Sequence, residues 1–363
     1  MAKPRKPEWT PPDGGVEYAS RVMSAKAADS NVSDASPVVS RGSMPPVEEL
    51  LTGIRAGNRT LLGRAITLIE SNSPRHFNAG QELIRQLLPG SAESIRIGIT
   101  GVPGAGKSTF IESFGLWLIA RGHRVAVLAV DPSSSLSKGS ILGDKTRMEE
   151  LSRNPGSFIR PSPSGGTLGG VARKTRESII LCEAAGYDVI LIETVGVGQS
   201  EITVRSMVDF FLLMQIAGAG DELQGIKKGI MELADLVAVN KADGDNVQAA
   251  ELAARELNNA LHYLRHSTAG WISKALTCSA VQKTGLAEIW SAIERFVEHG
   301  KTSGVFERRR QEQVAQWFES LLTEAVLNRF FSDPGVRERL PQIRQEVESG
   351  VLPVVLAVQK ILG

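Results

Sequence analysis

Apolar residues follow different periods along this chain, and the changes between them outline its architecture. Between Val47 and Leu88, residues such as Leu50, Leu51, Ile54, Leu62, Ile66, Ile69, Leu83, Ile84 and Leu87 recur every three or four positions, which predicts two or three helices. From residue 95 the pattern becomes short apolar runs at 95–100, 125–130, 158–159, 189–192, 210–215, 236–239 and 275–278, with helical segments between most of them. Near-continuous runs of this length predict strands buried on both faces. Their alternation with helices predicts an α/β fold with a mostly parallel sheet, helices on both faces, and ligands beyond the carboxyl ends of the strands. After about Gly300 a charged amphipathic helix is expected, in which Val314, Trp317, Phe318, Leu321, Leu322, Val326 and Phe330 are spaced mostly by three or four. One apolar face carrying Trp317 and Phe318 predicts a two-fold homodimer stabilised by this region.

Residues 1–44 are rich in Pro, Ser, Ala and Gly and lack apolar periodicity, so they predict a disordered tail. Within it, Arg41 to Met44 reads equally as natural sequence or as an added remnant before an original start methionine. The expected layout is a tail at 1–44, a helical preface at 45–92, the α/β domain at 93–300 and a helical region at 301–363.

Composition narrows the classes. The balance of 41 basic and 40 acidic residues leaves a net charge of +1, which gives no electrostatic footprint for nucleic acid or an anionic membrane. No run approaches the ~18 apolar residues of a membrane span, and the basic N-terminus is followed by no apolar segment of a signal peptide. Cys182 and Cys278 are far apart and each lies within an apolar run, which predicts two buried thiols in a reducing compartment. A cytoplasmic protein is expected.

The chemistry is carried by three constellations. Gly101-Val102-Pro103-Gly104-Ala105-Gly106-Lys107-Ser108, followed by Thr109, matches GxxxxGK[ST] directly between a predicted strand and a predicted helix. Its glycines let backbone N–H groups turn toward phosphate oxygens, and the helix N-terminus adds the positive end of its dipole. Lys107 is expected to reach the β and γ phosphates and Ser108 to ligate Mg²⁺.

The second constellation is acidic. Asp131 ends the 125–130 run, and Glu193 ends a later one in Glu193-Thr194-Val195-Gly196, where Gly196 can sense the γ-phosphate. The usual residue at the second place is Asp. The longer Glu193 side chain is therefore expected to hold a metal-bound water rather than the metal itself. Asp144 is a third candidate, for the metal shell or the attacking water, its alternative being a solvated loop acid.

The third is Asn240-Lys241-Ala242-Asp243, an NKxD element at the end of a buried run. Asp243 can accept from guanine N1–H and N2–H₂, whereas adenine would leave the carboxylate unpaired. Lys241 would lie along the base, Asn240 would brace the loops, and Ser279-Ala280 matches the short element that contacts guanine O6. GTP and GDP are thus the expected substrate and product.

Four further stretches, AVLAVDPSSS (126–135), GSILGDKTRM (139–148), ETVGVGQSE (193–201) and GAGDELQGIKKG (218–229), stand beside these motifs. With GVPGAGKST and NKAD they resemble the MeaB/ArgK family, SIMIBI-class P-loop GTPases that act as chaperones of adenosylcobalamin-dependent methylmalonyl-CoA mutase. The resemblance covers about Val47 to Leu362. It implies a homodimer with a C-terminal dimerisation arm, and hydrolysis that gates delivery and repair of the mutase's cobalamin, with no cobalamin expected on this chain itself. It also implies the mutase, and the adenosyltransferase that supplies the cofactor, as partners. By that resemblance Lys107, Ser108, Asp131, Asp144 and Glu193 map onto the phosphate and metal site, and Asn240, Lys241 and Asp243 onto the base site. Residues 217–228 map onto a partner-responsive switch that brings Lys227 to the nucleotide; by itself the Lys227-Lys228 pair reads as a solvated helix face. Gln199 stands three residues past Gly196 rather than beside it, which argues against a Ras-like water-positioning role.

Two competing classes remain. A metal-insertion GTPase of a related scaffold would show CxxC or His-rich tracts, and this chain has five scattered histidines and no cysteine pair. A transport-associated or kinase-like ATPase conflicts with NKxD and with the lack of an acceptor-substrate signature.

Overall fold

Seven strands form one all-parallel sheet in the order β3-β2-β4-β1-β5-β6-β7. The computed structural model describes residues 44–88, 94–130, 148–161, 168–194, 200–218, 228–264 and 267–362. Residues 1–43 of the expected tail, Asp131, Asp144, Gly196, Gln199 and Lys227 therefore lie outside the described residues. The strands are β1 (Ile95–Gly101), β2 (Val125–Val130), β3 (Ser157–Arg160), β4 (Val189–Thr194), β5 (Phe210–Ile216), β6 (Leu236–Asn240) and β7 (Lys274–Thr277). Each expected run became a strand, because only a doubly covered sheet hides segments such as VAVLAV and FFLLMQI on both sides.

The helices between them divide by face. Strand residues Ile97, Ile99, Val127, Leu191 and Leu212 pack against α4 (Lys107–Ile119), α5 (Glu149–Arg153) and α10 (Leu286–Ser303). Alternate residues, such as Leu128, Ile190, Ile192 and Phe211, pack against α1 (Val47–Arg55), α2 (Arg59–Glu70), α3 (Pro74–Leu87) and α6 (Leu168–Ala184). On the same side Val237 and Val239 meet α9 (Val247–His262). The preface thus forms three helices, with Asn58 capping α2 by accepting from the N–H groups of Thr60 and Leu61. Short helices α7 (Ser200–Arg205) and α8 (Lys228–Leu233) precede β5 and β6.

After Gly304 come α11 (Val305–Ser332), α12 (Pro334–Glu348) and α13 (Val354–Leu362). The first turns of α11 are fixed to the amino ends of the strands by buried charge. Asp209, 1% exposed just before β5, accepts from Arg96 N at 2.9 Å and receives Arg310 Nε and Nη2 at 2.8 and 2.7 Å. Asp235, just before β6, accepts from Phe211 N at 2.9 Å, with Arg309 and Arg205 at 3.6 and 3.7 Å. Gln313 donates to Val208 O at 2.8 Å. These bonds leave the opposite, carboxyl edge of the sheet for ligand chemistry.

Trp317 and Phe318 do not share a face, contrary to the expectation from spacing. The Trp317 ring lies 5.4 Å from the Arg176 guanidinium of α6, while Phe318 is 65% exposed beside exposed Val314, Leu322 and Val326. Successive helical residues are about 100° apart, so the apolar positions divide into an inward row and an outward row. Both cysteines are buried free thiols, as their apolar surroundings predicted. Burial pushes the Cys182 thiol up beyond the ordinary thiol range and Cys278 up to about 12.

Candidate nucleotide site

The P-loop joins the carboxyl end of β1 to the first turn of α4. Gly101 has φ 153°, and a Cβ there would stand 2.2 Å from the Met214 carbonyl oxygen of β5, so only glycine lets the loop leave the sheet at this point. Gly106, with φ 82°, leads into the helix, and a Cβ on it would approach Asn240 Nδ2 to 2.8 Å. Between them, Val102 and Ala105 are buried, Pro103 and Gly104 are exposed, and Ala105 N donates to Val102 O at 3.2 Å. Lys107 is buried, and its ammonium donates to the carbonyls of Gly101 at 2.9 Å and Val102 at 3.3 Å. Burial pushes the Lys107 amine down, while Glu193 and Glu201 pull it back up.

Glu193 is the penultimate residue of β4 rather than its end, because that strand runs on to Thr194. Its Oε1 accepts from Ser108 Oγ at 3.0 Å, and the carboxylate is buried. A hydroxyl and a carboxylate that already meet form an all-oxygen pair suited to a hard divalent cation that keeps several of its waters. Among the described residues, which do not include Asp131 or Asp144, there is no group of three or more His, Cys, Asp and Glu residues that could hold a metal ion. Thr109 is exposed on the first turn of α4.

The NKxD element leaves the end of β6 and faces the P-loop. Buried Asn240 donates through Nδ2 to Ala105 O at 2.8 Å and accepts through Oδ1 from Ala280 N at 3.1 Å, so one amide ties the phosphate loop to the last loop. Lys241 has φ 61°, an unusual conformation for a lysine, and is exposed. Half-buried Asp243 accepts from Ser279 Oγ, which itself accepts from Gln282 N at 3.0 Å. β7 ends at Thr277, so Ser279 and Ala280 stand in a turn past the strand rather than at its end. The bridge between Ser279 and Thr284 closes that turn. Ser113 of α4 donates to Ala280 O at 2.7 Å and fixes it from below.

The sequence reading missed Glu201 and the Thr100–Thr194 pair. Glu201 is 1% exposed and acts on Lys107; its only signal was its place in ETVGVGQSE. Thr194 Oγ1 donates to Thr100 Oγ1 at 2.9 Å, joining the residue after Glu193 to the residue before the P-loop. Nothing in the spacing of those two threonines foretells the contact. A cavity of about 650 Å³ lies at the other end of the sheet, against His123, Asp188, Trp290 and Arg310, and shares no residue with this constellation.

The loop around Gly101–Lys107, the Ser108–Glu193 oxygen pair and the Asn240 amide that links the loop to the NKxD turn stand together at the carboxyl edge of the sheet, an arrangement suited to a phosphorylated nucleotide. Comparison with known families agrees: the profile described as "Methylmalonyl Co-A mutase-associated GTPase MeaB" matches residues 62–335. The chain belongs to the MeaB family of GTPases. A probable GTPase of Mycobacterium tuberculosis is 54% identical over 316 residues, covering 87% of this chain and 94% of the relative. The GTPase ArgK of Escherichia coli is 50% identical over 285 residues, 78% of this chain and 86% of that one. A mitochondrial methylmalonic aciduria type A homolog of Mus musculus is 48% identical over 316 residues, covering 84% and 76%. Among solved structures, a LAO/AO transport system kinase is 41% identical with a TM-score of 0.71, covering 87% of this chain and 96% of that one. Among the described residues of this MeaB-family GTPase, no helix is long and apolar enough to cross a membrane.

Proposed function

We propose that this GTPase uses Mg²⁺-dependent GTP hydrolysis to gate the loading and protection of a cobalamin cofactor on methylmalonyl-CoA mutase. The observation that carries this reading is the family match over residues 62–335, whose description names association with that mutase. The murine relative's name, methylmalonic aciduria type A homolog, points to the same metabolism. The name of the similar LAO/AO transport system kinase would favour a kinase, but Asp243, held by Ser279 for guanine recognition, supports GTP.

In this reading the backbone of residues 101–109 and the Lys107 ammonium hold the phosphates and stabilise charge on the transferred phosphoryl group. Ser108 and Glu193, with Asp131 and Asp144, would hold Mg²⁺ and its waters; the ion would supply charge neutralisation between the phosphates. Asn240 braces the two loops, Lys241 flanks the base, Asp243 accepts from its N–H groups, and Ser279 and Ala280 meet its O6 edge. Asp243→Ala is expected to weaken GDP binding by about 1–3 kcal/mol, the penalty for leaving buried polar groups unpaired. Calorimetry with GDP and ADP on both proteins checks this; equal affinity of the parent protein for the two nucleotides would remove the assignment.

The outward row of Val314, Phe318, Leu322 and Val326 on α11 supports a homodimer through the C-terminal region, for which sedimentation at micromolar concentration is decisive. The partners are the mutase and the adenosyltransferase that supplies its cofactor, in the cytoplasm. Residues 217–228 would respond to the mutase by bringing Lys227 to the phosphates. Reciprocity then requires the nucleotide state to change mutase affinity, by about 1–3 kcal/mol or roughly 5- to 150-fold. The test is the GTPase rate with and without purified methylmalonyl-CoA mutase, for the parent protein and Lys227→Ala. Stimulation is expected, and it should be lost in the variant. No stimulation or binding at all would reject the partner, and full stimulation of Lys227→Ala would reject that lysine alone.

A further inference from the structure

A cleft of about 470 Å³ opens between α3, α6 and α11, and none of the residues lining it belongs to the candidate nucleotide site. On its α6 wall stands Lys174, only 6% exposed. An ammonium carries three N–H donors. Among the described residues one is taken, by Asn72 Oδ1 at 3.0 Å, and Glu70 and Glu177 stand near the ammonium without forming an ion pair with it. Beside it the Arg173 guanidinium lies 5.5 Å from the Phe77 ring and meets no acceptor among the described residues.

The nearby acids act on this pair from a distance, and their own oxygens are engaged elsewhere. Glu70 is paired with Arg160. Glu177, one turn along α6, has Oε1 occupied by Gln81 Nε2 at 2.8 Å, and Glu324 of α11 stands at the exposed rim. Burial pushes the Glu177 carboxyl up and the Lys174 amine down; Arg173 and Lys174 pull the carboxyl part of the way back, and Glu70 and Glu177 do the same for the amine. A buried ammonium with unmet donors is costly unless something supplies acceptors. A point-charge donor next to a planar guanidinium fork is an arrangement that takes an oxyanion, the fork binding two oxygens and the ammonium a third oxygen of a phosphate or one of the two of a carboxylate. Phe77 and Leu321, also on the walls, offer apolar surface to whatever carries that oxyanion.

We propose that the cleft between α3, α6 and α11 binds a small organic oxyanion, a phosphate or carboxylate on an apolar body, through Lys174 Nζ and the Arg173 guanidinium. The ligand would bridge the helical preface, the α/β sheet domain and the long C-terminal helix, and its binding does not depend on the mutase reading.

Phenyl phosphate, benzoate and inorganic phosphate are the probes, titrated calorimetrically into the full chain saturated with GDP and Mg²⁺ so that the P-loop is filled. Saturable binding of phenyl phosphate or benzoate, tighter than inorganic phosphate, is expected, and the better of the two identifies the headgroup. Lys174→Met and Arg173→Ala should each weaken it tenfold or more. Lys174→Met keeps much of the side-chain volume, and a cooperative thermal melt checks that it folds; half-buried Arg173→Ala provides a second test should that variant fail to fold. No binding of either aromatic probe, or binding undiminished in Arg173→Ala and in folded Lys174→Met, would overturn the proposal.

Discussion

Lys107→Ala is expected to lower GTP turnover by roughly 10²- to 10³-fold, the usual loss when one preorganised donor is removed from developing negative charge. Lys107 stands on the first turn of α4, buried, with its ammonium closing the loop onto the carbonyls of Gly101 and Val102. Two carboxylates, Glu193 and Glu201, lie close enough to counter part of the push of burial on its amine. That electrostatic setting keeps a cation where phosphate oxygens would arrive. The substitution removes the aliphatic stem and two loop-closing hydrogen bonds along with the cation, but burial already disfavours that charge, so the fold should survive a change that nearly removes activity, and a cooperative thermal melt checks this. Ser108→Ala should give a loss of similar size, because its hydroxyl is the partner of Glu193 in the proposed metal shell. Phosphate release under single-turnover conditions, measured across a Mg²⁺ series, separates the two: the serine variant should lose its response to the ion. Turnover equal to that of the parent protein in either folded variant would contradict the phosphate-loop reading.

Asp209→Ala should be the most destabilising single change at the rear of the sheet, by about 3–5 kcal/mol, as found when one partner of a buried ion pair is deleted. The carboxylate is 1% exposed and serves three donors, Arg310 Nε, Arg310 Nη2 and Arg96 N. Its loss strands a half-buried guanidinium and a strand-end N–H together, and loosens the first turns of α11. Arg310→Met should cost less, since Asp209 keeps the Arg96 N–H and the methionine can replace the arginine stem against Phe306, over whose ring the guanidinium lies at 4.6 Å. Urea denaturation at one fixed protein concentration checks the order. A smaller shift in midpoint for Asp209→Ala than for Arg310→Met would show that the latch is not held by that carboxylate.

Most of the sheet was legible because of how it is buried. A strand covered on both faces needs an unbroken apolar run, and 125–130 or 189–192 can satisfy that need in few other ways. The P-loop was legible for a related reason: Gly101 and Gly106 occupy backbone conformations that side chains resist, and Gly101 touches β5 so closely that a Cβ has no room. The long C-terminal helix was only partly legible. Its spacing announced helix, but an apolar residue every three or four positions does not say which neighbours turn inward, and Trp317 and Phe318 parted at the surface of α6.

By itself, then, the sequence determined the elements, the parallel sheet and the order of the phosphate, acidic and guanine motifs along the chain, since these follow from local conformational limits and local burial. Only the tertiary structure decided which distant side chains meet. Asn240 reaches Ala105 and Ala280, Ser108 reaches Glu193, and Thr194 reaches Thr100, because parallel strands bring their carboxyl ends together. Arg310 reaches Asp209 because α11 returns to the opposite edge. Pairings across 40 to 135 residues of chain carry no period that sequence spacing can display, and burial makes them selective: a polar group taken out of water is tolerable only where its partner has been folded beside it.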